Sequence, residues 1–123
     1  MEYRGREIKF LRTVLAQCEI ADLCPDGDVS KIATLFRGKR LSSNVKNMAS
    51  MIHILNKGYE ENKAYFEDDY EANPITIEEL MVLDEETFMN LFNEAAVAFY
   101  GEKPTVEAEQ PKSKKNKKAE TSD

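Results

Sequence analysis

Several residue types are scarce in this sequence, and each scarcity argues against a class of structure. The 123 residues include no tryptophan, one histidine and two cysteines, so six phenylalanines and five tyrosines must supply the large core side chains. No apolar run approaches the roughly 18 residues that a membrane-spanning helix needs. Residues 1–6 also lack the apolar stretch of a signal peptide. These features predict a cytoplasmic protein with reduced thiols and no membrane partner.

The patterns that build catalytic or metal sites are missing as well. The five glycines stand apart, so no glycine-rich phosphate loop is present. Cys18 and Cys24 with the single distant His53 do not match a zinc pattern, and His53 is interpreted as a structural residue in an apolar stretch. Carboxylates are abundant, but no convergent set of nucleophile, base and donor accompanies them. The sequence therefore predicts a protein that is not an enzyme and binds no cofactor or metal.

Charge divides the chain into two unequal parts. Residues 102–123 hold six lysines and five acidic residues, together with a single branched aliphatic residue, Val106. They are predicted to form a disordered, lysine-rich tail, because they cannot bury enough apolar surface to fold. Residues 1–101 hold eleven basic and eighteen acidic residues, a net charge of −7, and are predicted to form one domain. Such a body disfavours nucleic-acid binding, because it repels phosphates.

Apolar residues at three- and four-residue steps predict a mainly α-helical domain of four to five helices. Residues 14–24 form the first apolar stripe, and Thr13 is placed to cap it. Residues 29–36 form the second stripe, behind Asp28 as its cap. Pro25-Asp26-Gly27 separates the two, because proline lacks an amide donor and glycine favours a turn.

Two features of the first 66 residues allow more than one interpretation. The third helix begins at Ser42 or Ser43, and it either ends at Gly58 or continues to Phe66. Residues 1–12 fit a short β-hairpin, but they also fit an extended arm lying on the helices.

The clearest local signature is a capping box at the start of the next helix. The Thr76 hydroxyl and the Glu79 carboxylate are placed to satisfy two amides that the helix leaves without partners. Asp84 is predicted to cap the last helix. The apolar stripe of that helix either lies in the core or is shared with a partner helix. Four of its residues are taken as partner-binding candidates: Phe88, Leu91, Phe92 and Phe99.

Four features of the layout occur together. The chain opens with Gly5-Arg6-Glu7-Ile8 and Thr13-Val14-Leu15-Ala16, and it continues as a small acidic helical body. Ile75-Thr76-Ile77-Glu78-Glu79-Leu80 with Leu83-Asp84 follows, and a final helix precedes the lysine-rich tail. This layout resembles the tail assembly chaperones of long-tailed bacteriophages and prophages. Members of that family bind the long, aggregation-prone tape measure protein until tail tube subunits polymerise around it.

The resemblance implies a chaperone that acts in the bacterial host cytoplasm and solubilises a tape measure protein. It also implies contact with the tail tube protein, chiefly through a frameshifted long form of the chain, and it leaves self-association open. The alternative is an acidic helical regulatory or DNA-associated adaptor of a phage or mobile element, with a helix-turn-helix over residues 13–40. Its second helix would offer few basic residues, and the body around it is acidic.

Overall fold

The computed structural model describes residues 2–3 and 5–101, and 68% of these residues are helical. The mainly α-helical fold class is therefore confirmed. The tail predicted over residues 102–123 lies outside the described residues. Within the described part, four α-helices follow a short hairpin: α1 (Val14–Leu23), α2 (Leu41–Phe66), α3 (Ile77–Met81) and α4 (Glu85–Tyr100).

The hairpin interpretation of the first residues is also confirmed. Strands β1 (Glu2–Tyr3) and β2 (Arg6–Glu7) pair antiparallel, and Gly5 has a φ of 76° in the turn between them. The chain then runs extended across α2, where the amide of Leu11 donates to the carbonyl of Leu55 at 3.0 Å. Both features proposed for this segment, a hairpin and an extended arm, are therefore present in succession.

The second predicted helix is not an α-helix. Val29–Leu35 winds as a 3-10 segment with a kink at Lys31, whose ψ is 16°. The buried residues of the segment, Ile32 and Leu35, are three apart, and a 3-10 helix with three residues per turn places such residues on one face. The Thr34 hydroxyl also donates to the Lys31 carbonyl at 2.7 Å, which competes with regular helix bonding. The apolar face of this segment was predicted correctly, but the prediction of an α-helix was wrong.

The start of α2 also differs from the prediction. Neither Ser42 nor Ser43 caps the helix, because Arg40 occupies the N-cap and makes no side-chain capping bond. The preceding turn is held instead by Asn44. Its amide group accepts a bond from the Gly38 N–H and donates one to the Gly38 carbonyl, both at 2.9 Å. These two bonds fix the entry of the chain into α2 without a serine cap.

Gly58 does not end α2, which continues to Phe66. A Cβ atom at position 58 would lie 2.5 Å from the carbonyl oxygen of Leu11 and 3.3 Å from the hydroxyl of Thr13. The glycine is needed because the extended segment crosses the helix at this point, closer than a side chain would permit. Gly58 therefore permits close packing of the extended segment on α2. The helix ends eight residues later, at Phe66.

The core forms around α2, against which α1 and α4 both pack. Asn56 of α2 is fully buried among the apolar side chains and joins two distant segments. Its side chain donates to the Lys9 carbonyl at 2.8 Å and accepts from the Ile75 amide at 2.7 Å. His53, one turn earlier, bonds through Nδ1 to the Ile75 carbonyl at 2.7 Å. Because a carbonyl only accepts, Nδ1 of this histidine carries the proton.

Glu60 is the second buried polar residue of α2, and it anchors the loop that follows the helix. Its Oε1 atom accepts a bond from the Tyr70 hydroxyl at 2.6 Å and another from the Asn73 amide at 2.9 Å. The bond to the carboxylate stabilises the protonated phenol and raises the pKa of Tyr70 to about 12. The loop is thereby tied to α2 by polar contacts, which position α3 behind it.

The caps predicted for the last two helices are present. The Thr76 hydroxyl accepts from the Glu79 amide at 3.0 Å, and the Glu79 carboxylate accepts from the Thr76 amide at 2.9 Å. Asp84 caps α4 by accepting from the Thr87 amide at 3.1 Å. Hydrogen bonds from Thr87 stabilise this carboxylate and lower the pKa of Asp84. Gly101 ends α4 in the left-handed region, with a φ of 84°.

Candidate functional site

An open apolar groove lies between the first half of α2 and the turn that joins α3 to α4. Its volume is about 510 Å³. Its polar lining residues are Asn44 and Glu85, and apolar side chains supply the rest. The apolar residues that shape its walls and lip are Phe36, Leu41, Val45, Met48, Met81 and Met89.

The floor of this apolar groove belongs to the core. Leu80 and Phe88 line it from below, and both are buried in the core. The ring of Phe36 closes one side and packs edge-on against Phe92, with ring centroids 5.1 Å apart. Asn47 holds the chain in front of Phe36 by donating to the Leu35 carbonyl at 2.9 Å. The groove is therefore supported by the core beneath it.

The lip of the apolar groove is unusually exposed. Leu41 is 75% exposed and Met81 is 44% exposed, and Val82, next to Met81 in the chain, is 78% exposed. Contiguous apolar surface of this kind commonly marks a site of interaction with another molecule. Three of the five methionines of the chain, Met48, Met81 and Met89, line the groove. Their unbranched side chains can adapt to partners of different shape.

One end of the groove is basic. Phe36 and Leu41 both line the groove, so the four residues between them lie at its edge. Three of those four are exposed and positively charged, and we call them the basic rim: Arg37, Lys39 and Arg40. They form no ion pair with any other described residue. The first turn of α2 begins here without an acidic residue, so the positive end of its dipole adds to the charge of the rim.

This arrangement is suited to binding an amphipathic helix. An apolar trough with adaptable walls accepts side chains that recur at three- and four-residue steps on a partner helix. The groove presents no pairing of a nucleophile with a base. Among the residues that the structure describes, no group of three His, Cys, Asp or Glu side chains is placed to hold a metal ion. In the same part of the chain, no helix is both long and apolar enough to cross a membrane.

Of the two placements left open for the partner-binding candidates of α4, the structure shows the core. Leu91 is fully buried, and Phe92 and Phe99 are 4% and 5% exposed. Phe88 is buried as well, but it forms part of the groove floor. These residues face the core because α4 packs its whole apolar stripe against α2. The stripe was predicted correctly, yet only Phe88 touches a surface open to a partner.

The exposed residues of the groove were missed in the sequence. Leu41 begins a helix, just before the positions that were considered as caps. Met81 and Val82 sit at the end of the five-residue helix α3, where spacing gives little information about the buried face. The available signal was a run of apolar residues too long for one face, Leu80 to Leu83. The exposure of these side chains depends on which other elements cover them. The spacing of apolar residues in the sequence does not determine which elements do so.

The histidine and the cysteines take structural positions. The bond of His53 to the Ile75 carbonyl ties α2 to the loop before α3. Cys24 is buried, its thiol donates to the Ile20 carbonyl, and burial raises the pKa of that thiol. Cys18 is exposed, and both thiols are free. The placement of His53 agrees with the structural role that was predicted for it.

The helix-turn-helix considered over residues 13–40 does not form. Its second helix would be the recognition helix, but Val29–Leu35 is a kinked 3-10 segment. Its buried residues, Ile32 and Leu35, fix that segment to the core. The geometry of a recognition helix in a DNA groove is therefore not available here.

Comparison of the chain with protein-family models, with curated proteins and with solved structures finds no match. The features that bear on function are therefore the apolar groove, its charges and the resemblance in layout.

Proposed function

We propose that this chain is a tail assembly chaperone of a long-tailed bacteriophage or prophage. It binds the tape measure protein, keeps it soluble and hands it to tail tube subunits during tail assembly. The observation that carries this proposal is the open apolar groove with its exposed lip at Leu41 and Met81. A groove of this kind is suited to a helical client, and the layout of the chain resembles the family whose client is helical.

The properties of the client explain why a groove would suffice. A long helical protein exposes apolar stripes that self-associate at micromolar concentrations. Each bound copy of this chain would cover part of one apolar stripe. The complex would then present the acidic surface of the bound copy to solvent, since residues 1–101 carry a net charge of −7. Release to the tail tube requires that no single contact be tight. Many weak copies along one client provide strong total binding and still permit stepwise displacement.

The lining of the groove suggests a binding mode for the client helix. Leu41 of α2 and Met81 of α3 are exposed residues that line the groove, and Phe88, which also lines it, is buried. A client helix would insert one or two large apolar side chains over Phe88 and be held between the two lips. Its charged face would point to solvent, so the sequence around the stripe could vary between clients.

Co-expression with the long tape measure gene of the same genome tests this proposal. The chain is expected to keep the tape measure protein soluble and to form a complex with several copies of itself. The double variant Leu41→Asp, Met81→Asp places charge in the groove and is expected to leave the client insoluble. Val14→Asp is the matched control, because Val14 and Leu41 are both the first residue of a helix and both more than 70% exposed.

The outcomes distinguish whether the chain binds the tape measure protein from where on the chain that protein binds. If the tape measure protein stays insoluble with the unaltered chain and with a frameshifted long form, the chaperone proposal is wrong. If Val14→Asp abolishes solubilisation and the groove variant does not, the client binds α1 rather than the groove. Circular dichroism of each variant checks that the helices remain folded.

A further inference from the structure

The two edges of the apolar groove carry opposite charges. The start of α2 forms one edge, and the basic rim lies there. The start of α4 forms the other edge, where Leu83, Glu85 and Phe88 line the groove. Three consecutive acidic residues are exposed at this second edge, and we call them the acidic rim: Asp84, Glu85 and Glu86. The groove therefore lies between three positive charges and three negative charges.

The acidic rim has a local structural reason, whereas the basic rim has none. Acidic residues stabilise the positive start of α4, and the Asp84 carboxylate caps that helix. The basic rim lies at the equally positive start of α2, where the helix dipole disfavours cations. Neither rim forms an ion pair with another described residue, so none joins the two rims across the groove. The charges of the basic rim therefore remain available to a bound molecule.

An amphipathic helix bound in the groove would meet both rims. Its apolar stripe would face Phe88, and the two flanks of the stripe would each face one charged edge. Complementary charges across an interface fix the register of a partner, and like charges placed together disfavour the wrong arrangement. Coiled coils use the same device, because charges beside their apolar seam set the orientation of the partner helix.

We infer that the groove selects the direction in which the client helix lies. The client segment that fits carries acidic residues along one flank of its apolar stripe and basic residues along the other. Its acidic flank lies against the basic rim, and its basic flank lies against the acidic rim. Reversing the helix keeps the stripe over the floor but exchanges the flanks, so each rim then meets charges of its own sign. The face turned to solvent stays free to vary.

A fixed direction has a consequence along a long client. Every bound copy of this chain would have the same orientation relative to the client helix. Displacement that proceeds from one end of the client would then meet the same side of each copy. The direction has meaning only if the groove binds a helical client, so this inference rests on the proposed function.

Designed amphipathic helical peptides of identical composition test the selection, with methyl NMR of the full chain as the readout. In the split peptide, glutamates occupy one flank of the apolar stripe and lysines occupy the other. In the mixed peptide, both flanks carry both residue types. Both peptides are expected to shift the methyl signals of Met48, Met81 and Met89, which line the groove.

The affinities of the two peptides are expected to differ only when salt is low. The split peptide should bind about tenfold more tightly, because several exposed ion pairs each contribute a small amount. The difference should disappear at about 1 M salt, where exposed charges are screened.

A nitroxide spin label, which broadens nearby methyl signals, reports the direction of the bound helix. Labels at the two termini of the split peptide are expected to broaden different groove signals. A third peptide with its two flanks interchanged should lie in the reverse direction. Its C-terminal label should therefore broaden the signals that the N-terminal label of the split peptide broadens.

Reversing the charges of the basic rim connects the selection to these residues. The variant Arg37→Glu, Lys39→Glu, Arg40→Glu is expected to lose both the tenfold preference and the fixed direction, while the mixed peptide still shifts the groove signals. The matched control is Lys114→Glu, Lys115→Glu, Lys117→Glu, which changes the net charge by the same amount outside both rims. It is expected to keep the preference and the direction.

Four results would overturn the inference. They are equal affinities of the split and mixed peptides at low salt, identical broadening by the two terminal labels, a preference that survives in the rim variant, and groove signals that no peptide shifts. The peptide comparisons use the unaltered chain, so they decide the matter even if the rim variant does not fold. Each of these results can occur while co-expression still solubilises the tape measure protein, so the proposed function stands or falls separately.

Discussion

Replacing Asn56 by leucine tests whether the buried polar contacts of α2 hold the fold together. The side chain is fully buried, and it satisfies the Lys9 carbonyl and the Ile75 amide at 2.8 Å and 2.7 Å. Leucine has a similar size, so the variant removes both hydrogen bonds without leaving a large cavity. The Ile75 amide is then left buried without a partner, and the partly buried Lys9 carbonyl loses its donor.

The expected loss follows from these two groups. A buried polar group without a partner costs about 1–3 kcal/mol, so the Ile75 amide alone should lower the free energy of unfolding by that amount, and the Lys9 carbonyl adds a smaller loss. A domain of this size has about 5–15 kcal/mol in total, so the loss is a large fraction. With a urea dependence of about 2 kcal/mol per molar, the midpoint should fall by at least about 0.5–1.5 M.

Urea unfolding monitored by circular dichroism measures this loss, with Asn62→Leu as the control. Asn62 lies on the same helix but is exposed, so its replacement should change stability by less than about 0.5 kcal/mol. Hydrogen exchange at the Ile75 amide should also accelerate in the Asn56 variant, because its acceptor is gone. Equal midpoints for the two variants would refute the structural role that we assign to Asn56.

Three further predictions concern the core, a cap and a titrating group. Phe92→Ala should cost about 3–5 kcal/mol in urea unfolding, because the ring is buried, and a loss below about 1 kcal/mol would contradict its place in the core. Thr76→Ala should cost about 0.5–2 kcal/mol through the lost capping box, and an unchanged midpoint would contradict that role. The pKa of Tyr70 is raised from 10.0 to about 12, so the stability from its bond to Glu60 is present below pH 10 and lost as the pH rises towards 12. Tyr70→Phe should flatten the stability profile in that window, and an identical profile would show that the bond contributes nothing.

The parts of the fold that local rules determine could be predicted from the sequence. The capping box at Thr76 and the cap at Asp84 require only residues three apart, and the structure shows both. The apolar stripe of α4 was also identified, because helical spacing fixes which residues share a face. These features depend on neighbours in the chain, which a single sequence displays.

Features that depend on distant segments could not be predicted. The sequence left the end of α2 open between Gly58 and Phe66, because the reason for Gly58 is the Leu11 carbonyl, 47 residues away in the chain. The groove was missed for the same reason, since the exposure of Leu41 and Met81 depends on what the rest of the chain leaves uncovered. Periodicity identifies a face that can be buried, but it does not say whether anything covers it.

Methyl NMR of methionine-labelled protein tests whether the apolar groove binds an apolar helical client. Met48, Met81 and Met89 line the groove, whereas Met51 is buried in the core and serves as an internal control. Titration with a helical segment of the tape measure protein should shift the three groove methyl signals and leave that of Met51 in place. Shifts in none of the three, or equal shifts in all four signals, would contradict binding at the groove.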